Sequence, residues 1–195
     1  VRREQDMGLG GKRTPISVLF ADVVGFTPLT ERLPPEEVVG LLNELFTILT
    51  EIVFRHGGTV DKFIGDAVMA MWGAPKAVGD HARRAVAAAE EMIDWIEVGN
   101  AGWEEKYGVR LQLAIGVNSG EAVVGNVGSE SRMEYTAIGD VVNVAARLEG
   151  IARPMQVLVS EATMKLTAGD FDYESFGEQK MTGRERLVHL YALDR

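Results

Sequence analysis

The sequence predicts an α+β domain: a mixed, mainly antiparallel sheet with helices packed on it. Three observations lead there. Apolar patterning runs strand, helix, hairpin, helix, hairpin, then further helices and strands. The strands outnumber what simple strand–helix–strand units require, which points away from a purely parallel sheet. Finally, 195 residues of which 46% are hydrophobic suffice for one domain with a substantial core.

Taken in order, residues 1–14 are polar and rich in Gly8, Gly10 and Gly11, and are expected to form a linker; the domain is expected over 15–195. Residues 16–22 read as the first strand. Pro28 to Leu33 reads as a short helix. A longer helix starts at Pro34-Pro35-Glu36-Glu37, where Pro suits the first turn and Glu the positive helix end. Its apolar stripe of Val38, Leu41, Leu42, Leu45, Ile48, Leu49, Ile52 and Val53 runs to a stop near His56-Gly57. Residues 57–73 form a hairpin turning on Gly65-Asp66. An Ala-rich helix follows from an N-cap at Asp80 to about Tyr107, with an interruption expected at Gly99 to Gly102. Val109–Val117 alternates as a strand, Asn118-Ser119-Gly120-Glu121 reads as a turn, and 122–127 as the returning strand. Residues 134–138 are extended and a helix begins at Gly139. Strands are expected at 155–160, 173–176 and 187–193, with a short helix at 161–166. The helices are expected on one face of the sheet.

Composition excludes several functions. A formal net charge of −9 opposes generic binding to nucleic acid or anionic lipid. With no Cys, there are no disulfides, thiolate zinc sites or Cys nucleophiles. The three His have no metal-ligand spacing. No apolar run approaches the ~18 residues of a membrane span, and no signal peptide is visible. The chain begins with Val1, so neighbouring segments in a longer parent are expected.

Two segments carry chemistry. The first strand delivers Asp22 before a small-residue turn, and the hairpin places Lys62 and Asp66 in an otherwise apolar stretch. Lone charges there are costly unless paired or at a rim. Two strand-end carboxylates suit a shared Mg²⁺ or Mn²⁺, ions that commonly carry substrate phosphates. Further on, Asn143 and Arg147 are four residues apart and share one helix face.

Three stretches, Phe20-Ala21-Asp22-Val23-Val24-Gly25-Phe26-Thr27, Lys62-Phe63-Ile64-Gly65-Asp66 and Tyr135 through Glu149, resemble the signature blocks of class III nucleotidyl cyclase catalytic domains. The resemblance covers roughly residues 15–193 in the family's order, and is nearest to bacterial homodimeric adenylyl cyclases. It implies a ferredoxin-like fold and conversion of a nucleoside triphosphate to a 3′,5′-cyclic monophosphate and pyrophosphate. Two divalent cations, Mg²⁺ or Mn²⁺, would be held by Asp22, Asp66 and the main chain of Val23. The main chain of Val24, Gly25, Phe26 and Thr27 would approach the β- and γ-phosphates. Asn143 would orient the ribose, and Arg147 would stabilise charge at the α-phosphate.

Base choice, by the same resemblance, falls to Lys62, donating to adenine N1, and Thr136, accepting from the exocyclic amine. ATP is therefore expected over GTP. One departure stands near the C-terminus. Where the family often reads Lys-Gly-Lys, this chain has Met181-Thr182-Gly183-Arg184, and Arg184 would serve as the phosphate cation. The resemblance further implies a homodimer with shared sites, an upstream regulatory domain acting through residues 1–14, and cytoplasmic placement of the domain, whether or not the parent is membrane-anchored. The alternatives are a guanylyl cyclase and a non-catalytic cyclase-like dimerisation domain.

Overall fold

The computed structural model describes residues 11–181 and 187–195. Its elements are β1 (Lys12–Val23), α1 (Phe26–Arg32), α2 (Pro35–Arg55), β2 (Thr59–Ile64), β3 (Ala67–Trp72), α3 (His81–Tyr107), β4 (Leu113–Ser129), β5 (Arg132–Ile138), α4 (Asp140–Ile151), β6 (Val157–Ser160), α5 (Glu161–Thr167), β7 (Tyr173–Lys180) and β8 (Leu187–Leu193). The strands form one sheet in the order β2-β3-β1-β4-β6-β8-β7, with β5 paired to β4 off that path. Every pairing is antiparallel except β4 with β6, so the mixed, mainly antiparallel α+β fold is as expected.

Strand alternation splits the core into two faces. On β1, Leu19, Ala21 and Val23 point to one side, where they meet Leu45, Leu49 and Ile52 of α2 and Ala85, Ala89 and Met92 of α3. Ile16, Val18 and Phe20 point to the other, where Val141 and Ala145 of α4 cover them. Helices therefore lie on both faces, not on one. The alternating residues of the central strands are apolar on both sides, as a sheet covered twice requires.

Three local expectations are corrected and a fourth is refined. Residues 118–121 do not turn: β4 runs unbroken from Leu113 to Ser129, and the hairpin turns at Glu130-Ser131 instead. The polar side chains that suggested a turn are buried and satisfied within the sheet. Asn118 Nδ2 donates to Val141 O at 3.1 Å, and Ser119 Oγ bonds Ser17 Oγ at 2.7 Å and Thr163 Oγ1 at 2.9 Å. Second, α3 is not interrupted at Gly99 to Gly102. Asn100, inside that stretch, is buried and bonds Leu111 through both its amide atoms, at 2.9 and 2.6 Å. Such tertiary bonds outweigh the roughly 1 kcal/mol that each helical Gly costs. Third, Lys12, Arg13 and Thr14 are strand, paired with Val124, Val123 and Ala122. Fourth, Asp80 is the N-cap residue of α3, as expected, but it caps through its carbonyl, which accepts the Arg84 N–H at 3.1 Å; its side chain makes no capping bond and pairs with Arg83 and Arg84.

Gly116 fixes how close α4 lies. A Cβ there would sit 2.3 Å from Glu149 N and 2.6 Å from Ala145 O. The α4 backbone thus rests directly on β4, which only a residue without a side chain allows. That contact sets the position of the outward face of α4, where Asn143 and Arg147 stand.

Candidate active site

β1 carries Asp22 near its end, and the β2–β3 hairpin turns at Gly65-Asp66. The antiparallel pairing of β1 with β3 ends at Ala21 opposite Val68, so both carboxylates emerge at the same end of the sheet. Asp66 Oδ2 accepts the Val23 N–H at 3.2 Å, and the Asp22 and Asp66 carboxyl groups lie within hydrogen-bonding reach of each other. The carboxyl of Glu149, from α4, also reaches Asp22. Burial is the main cause that raises the pKa of each of the three from its ordinary value. For Asp66, burial acts with the hydrogen bond and the charge of Asp22 to bring the pKa to about 7.

This donor set fits a divalent cation. Asp22 Oδ1 is buried with no hydrogen-bond partner among the described residues. A doubly charged ion would give that oxygen a partner and cancel the repulsion between adjacent carboxylates. Among the described residues no three His, Asp or Glu side chains are arranged to hold a metal. The rest of the coordination of an ion at Asp22 and Asp66 would therefore fall to main-chain carbonyls such as that of Val23, to water, or to substrate oxygens.

The turn after Asp22 is tighter than expected. Gly25 has φ 67°, a left-handed conformation that favours Gly, and α1 begins immediately at Phe26. Val23 N–H is bound to Asp66, and Val24 N–H donates to Gln112 O at 2.8 Å. The expected use of this whole stretch as donors narrows accordingly. The N–H groups left are those of Gly25, Phe26 and Thr27, of which the helical ones lack intrahelical acceptors.

A second cluster forms where β2 meets β5. Thr136, buried on β5, donates through Oγ1 to Asp61 Oδ2 at 2.6 Å. Lys62 Nζ lies 3.3 Å from Glu134 Oε2 and 3.7 Å from Asp61 Oδ1. Lys62 and Thr136, 74 positions apart in sequence, are thus brought together, with Asp61 between them. Neither makes a hydrogen bond or ion pair with Asp22 or Asp66. Asn143 and Arg147 are exposed on α4, and neither side chain has a hydrogen-bond or ion-pair partner among the described residues. Arg184 lies outside the described residues.

Sequence reasoning missed Asp61, Glu134 and Glu149. Asp61 carried a signal, since an Asp next to Lys62 is a further charge in an apolar strand. Glu149 carried little, because it lies two residues from Arg147 and so points away from the Asn143–Arg147 face. The three His have protein partners: His56 with Glu91, His81 with Ser17, and His189 with Ser175, each at 2.7 Å.

Residues 11–194 match the family model described as the adenylate and guanylate cyclase catalytic domain. Adenylate cyclase 1 of Rhizobium meliloti (strain 1021) is 36% identical over 197 residues, covering 98% of this chain and 30% of that protein. The chain thus spans less than a third of this relative's length. The adenylyl cyclase CyaB from P. aeruginosa superposes with TM-score 0.93 at 34% identity, over 96% of this chain and 97% of that one. The guanylyl cyclase Cya2 superposes with TM-score 0.88 at 37% identity, over 95% and 94% of the two chains. Similarity to CyaB and to Cya2 is nearly equal, so the nucleotide base must be read from the site itself.

Proposed function

The chain belongs to the adenylate and guanylate cyclase catalytic-domain family, and we propose from this that it is an adenylyl cyclase converting ATP to 3′,5′-cyclic AMP and pyrophosphate. The carrying observation is the second cluster. Lys62 can only donate, as adenine N1 requires, and Thr136 offers oxygen lone pairs to the exocyclic amine. Guanine presents the reverse pattern at both positions.

At phosphorus the reaction makes one bond and breaks one. The ribose 3′-oxygen bonds to the α-phosphorus, its proton passes to solvent water, and pyrophosphate leaves with the electron pair of the broken bond between the α-phosphorus and the bridging oxygen. Bound divalent cations, Mg²⁺ or Mn²⁺, would lower the hydroxyl's pKa and neutralise phosphate charge. Asp22 and Asp66, with the Val23 carbonyl, are the residues to hold them. The Gly25, Phe26 and Thr27 N–H groups face the β- and γ-phosphates, and Arg184 adds a phosphate cation. Asn143 holds the ribose so that its 3′-oxygen is in line. Arg147, an always-charged guanidinium, stabilises the charge that grows on the α-phosphate oxygens.

The functional unit is a homodimer with two composite sites. Supporting this are the exposed Asn143 and Arg147, without partners among the described residues, and the lack, among those residues, of any bond joining the base-reading pair to the carboxylate pair. Exposed apolar residues also gather on β2 and the β4–β5 hairpin: Phe63, Ile64, Val127, Met133, Tyr135 and Ile138. An upstream domain in a longer parent would then control activity by shifting one protomer against the other. Cytoplasmic placement follows from ATP as substrate, and no helix among the described residues is long and apolar enough to cross a membrane.

The test is turnover of ATP and of GTP by the purified domain with Mn²⁺. Cyclic AMP formed in clear excess over cyclic GTP is the expected result; preferential cyclic GTP would favour the guanylyl reading, to which the likeness to Cya2 lends weight.

A further inference from the structure

Asp61 precedes Lys62 in β2, and its position there is irregular. Val60 pairs with Ala70 and Lys62 with Met69, so Asp61 is the extra residue of a β-bulge. Bulges re-aim a side chain out of the regular alternation. Here the carboxylate is turned toward β5 and its side chain is 0% exposed. Oδ2 accepts from Thr136 Oγ1 at 2.6 Å and from the Ala137 N–H at 3.4 Å. Oδ1 has no hydrogen-bond partner among the described residues and lies 3.7 Å from Lys62 Nζ. Burying a carboxylate is costly, and here the only partner of Oδ1 among the described residues is the Lys62 ammonium, at ion-pair distance.

A use for Asp61 follows from proton counting. A threonine hydroxyl has one proton and can be either donor or acceptor toward a ligand. A carboxylate has no proton to give. Thr136 must therefore spend its proton on Asp61, and toward anything else its oxygen can only accept. We propose that Asp61 is a positioning residue for base choice: it commits the Thr136 hydroxyl to accept from the adenine amine, beside a Lys62 ammonium whose nearer partner is Glu134, at 3.3 Å. Guanine would set O6, an acceptor, against the Thr136 lone pairs, and N1–H, a donor, against Lys62. Without Asp61 the hydroxyl could rotate and donate to O6. The proposal rests on the adenylyl reading above.

The experiment measures kcat/KM for ATP and GTP in the wild type, Asp61→Asn, Thr136→Val and the double variant. The amide of Asp61→Asn can donate to Thr136 and free its proton. The ATP-to-GTP ratio is expected to fall about tenfold in Asp61→Asn, the worth of one misdirected hydrogen bond, with most of the loss in KM for ATP. The double variant should be no less selective than Thr136→Val alone, because Asp61 acts through that hydroxyl. An Asp61→Asn variant that slows both nucleotides equally, with the ratio unchanged, overturns the proposal. So do independent, multiplying effects in the double variant. Should Asp61→Asn not fold, Thr136→Val still decides: an unchanged ratio there also overturns it. A wild type that does not prefer ATP removes the adenylyl reading itself, and is seen before any variant is compared.

Discussion

Asp66 has the ordinary carboxylate value of 3.8 when unfolded and is raised to about 7 in the folded domain, by burial first and then by Asp22. Below 3.8 the group is protonated in both states and costs nothing. As pH rises toward 7 the unfolded chain releases its proton first, so the metal-free domain loses stability across that window. Thermal melts in chelator should show the melting temperature falling from about pH 4 to about pH 7, and Asp66→Asn should flatten that fall. Saturating Mn²⁺ at pH 7.5 should raise the wild-type melting temperature and leave Asp66→Asn almost unmoved. A metal-induced rise of equal size in both proteins would remove Asp66 from the ligand set. At this scale the sequence was informative where charge interrupts an apolar strand, as at Asp22, Lys62 and Asp66. It was silent on Glu149, whose approach to Asp22 depends on how deeply α4 settles on β4.

That settling is an element-scale property, and Gly116 controls it. Gly116→Ala would drive a methyl into the α4 backbone, at distances of 2.3 to 2.9 Å that no rotamer can relieve. The expected cost is about 1–3 kcal/mol, as for other overpacked sites, read as a lowered midpoint in urea. Because α4 also carries Asn143 and Arg147, turnover should fall by more than the unfolded fraction explains. A stable variant with full activity would show that α4 has room to move. Element types were legible from periodicity, and α2, α4 and the β2–β3 hairpin fall where their patterns place them. The β4 error has a physical cause. Asn118, Ser119 and Gly120 are turn residues by local preference, but Asn118 and Ser119 each serve one of the strand's covered faces through a buried hydrogen bond. Tertiary satisfaction of polar groups overrode local turn chemistry, and no window of sequence contains the partners Ser17, Val141 and Thr163. The same limit hid the division of helices between two faces.

For the whole molecule, a complete site on the proposed reading needs two chains. The β4–β5 hairpin exposes Val127 and Met133 at 44% and 42%, an apolar surface that a monomer has no reason to keep. Replacing both with Glu should shift the domain toward monomer in light scattering and lower the specific activity, with recovery as protein concentration rises. A monomer that turns over as fast as the dimer would contradict shared sites. The most direct measurement is complementation between Asp66→Ala and Asn143→Ala, each assayed alone and then mixed, with ATP and Mn²⁺. Each variant alone should be inactive, and the mixture should recover up to about a quarter of wild-type activity, since half the dimers are mixed and each has one intact site of two. Folded variants that stay inactive when mixed, while exchanging subunits, would contradict a site built from both protomers.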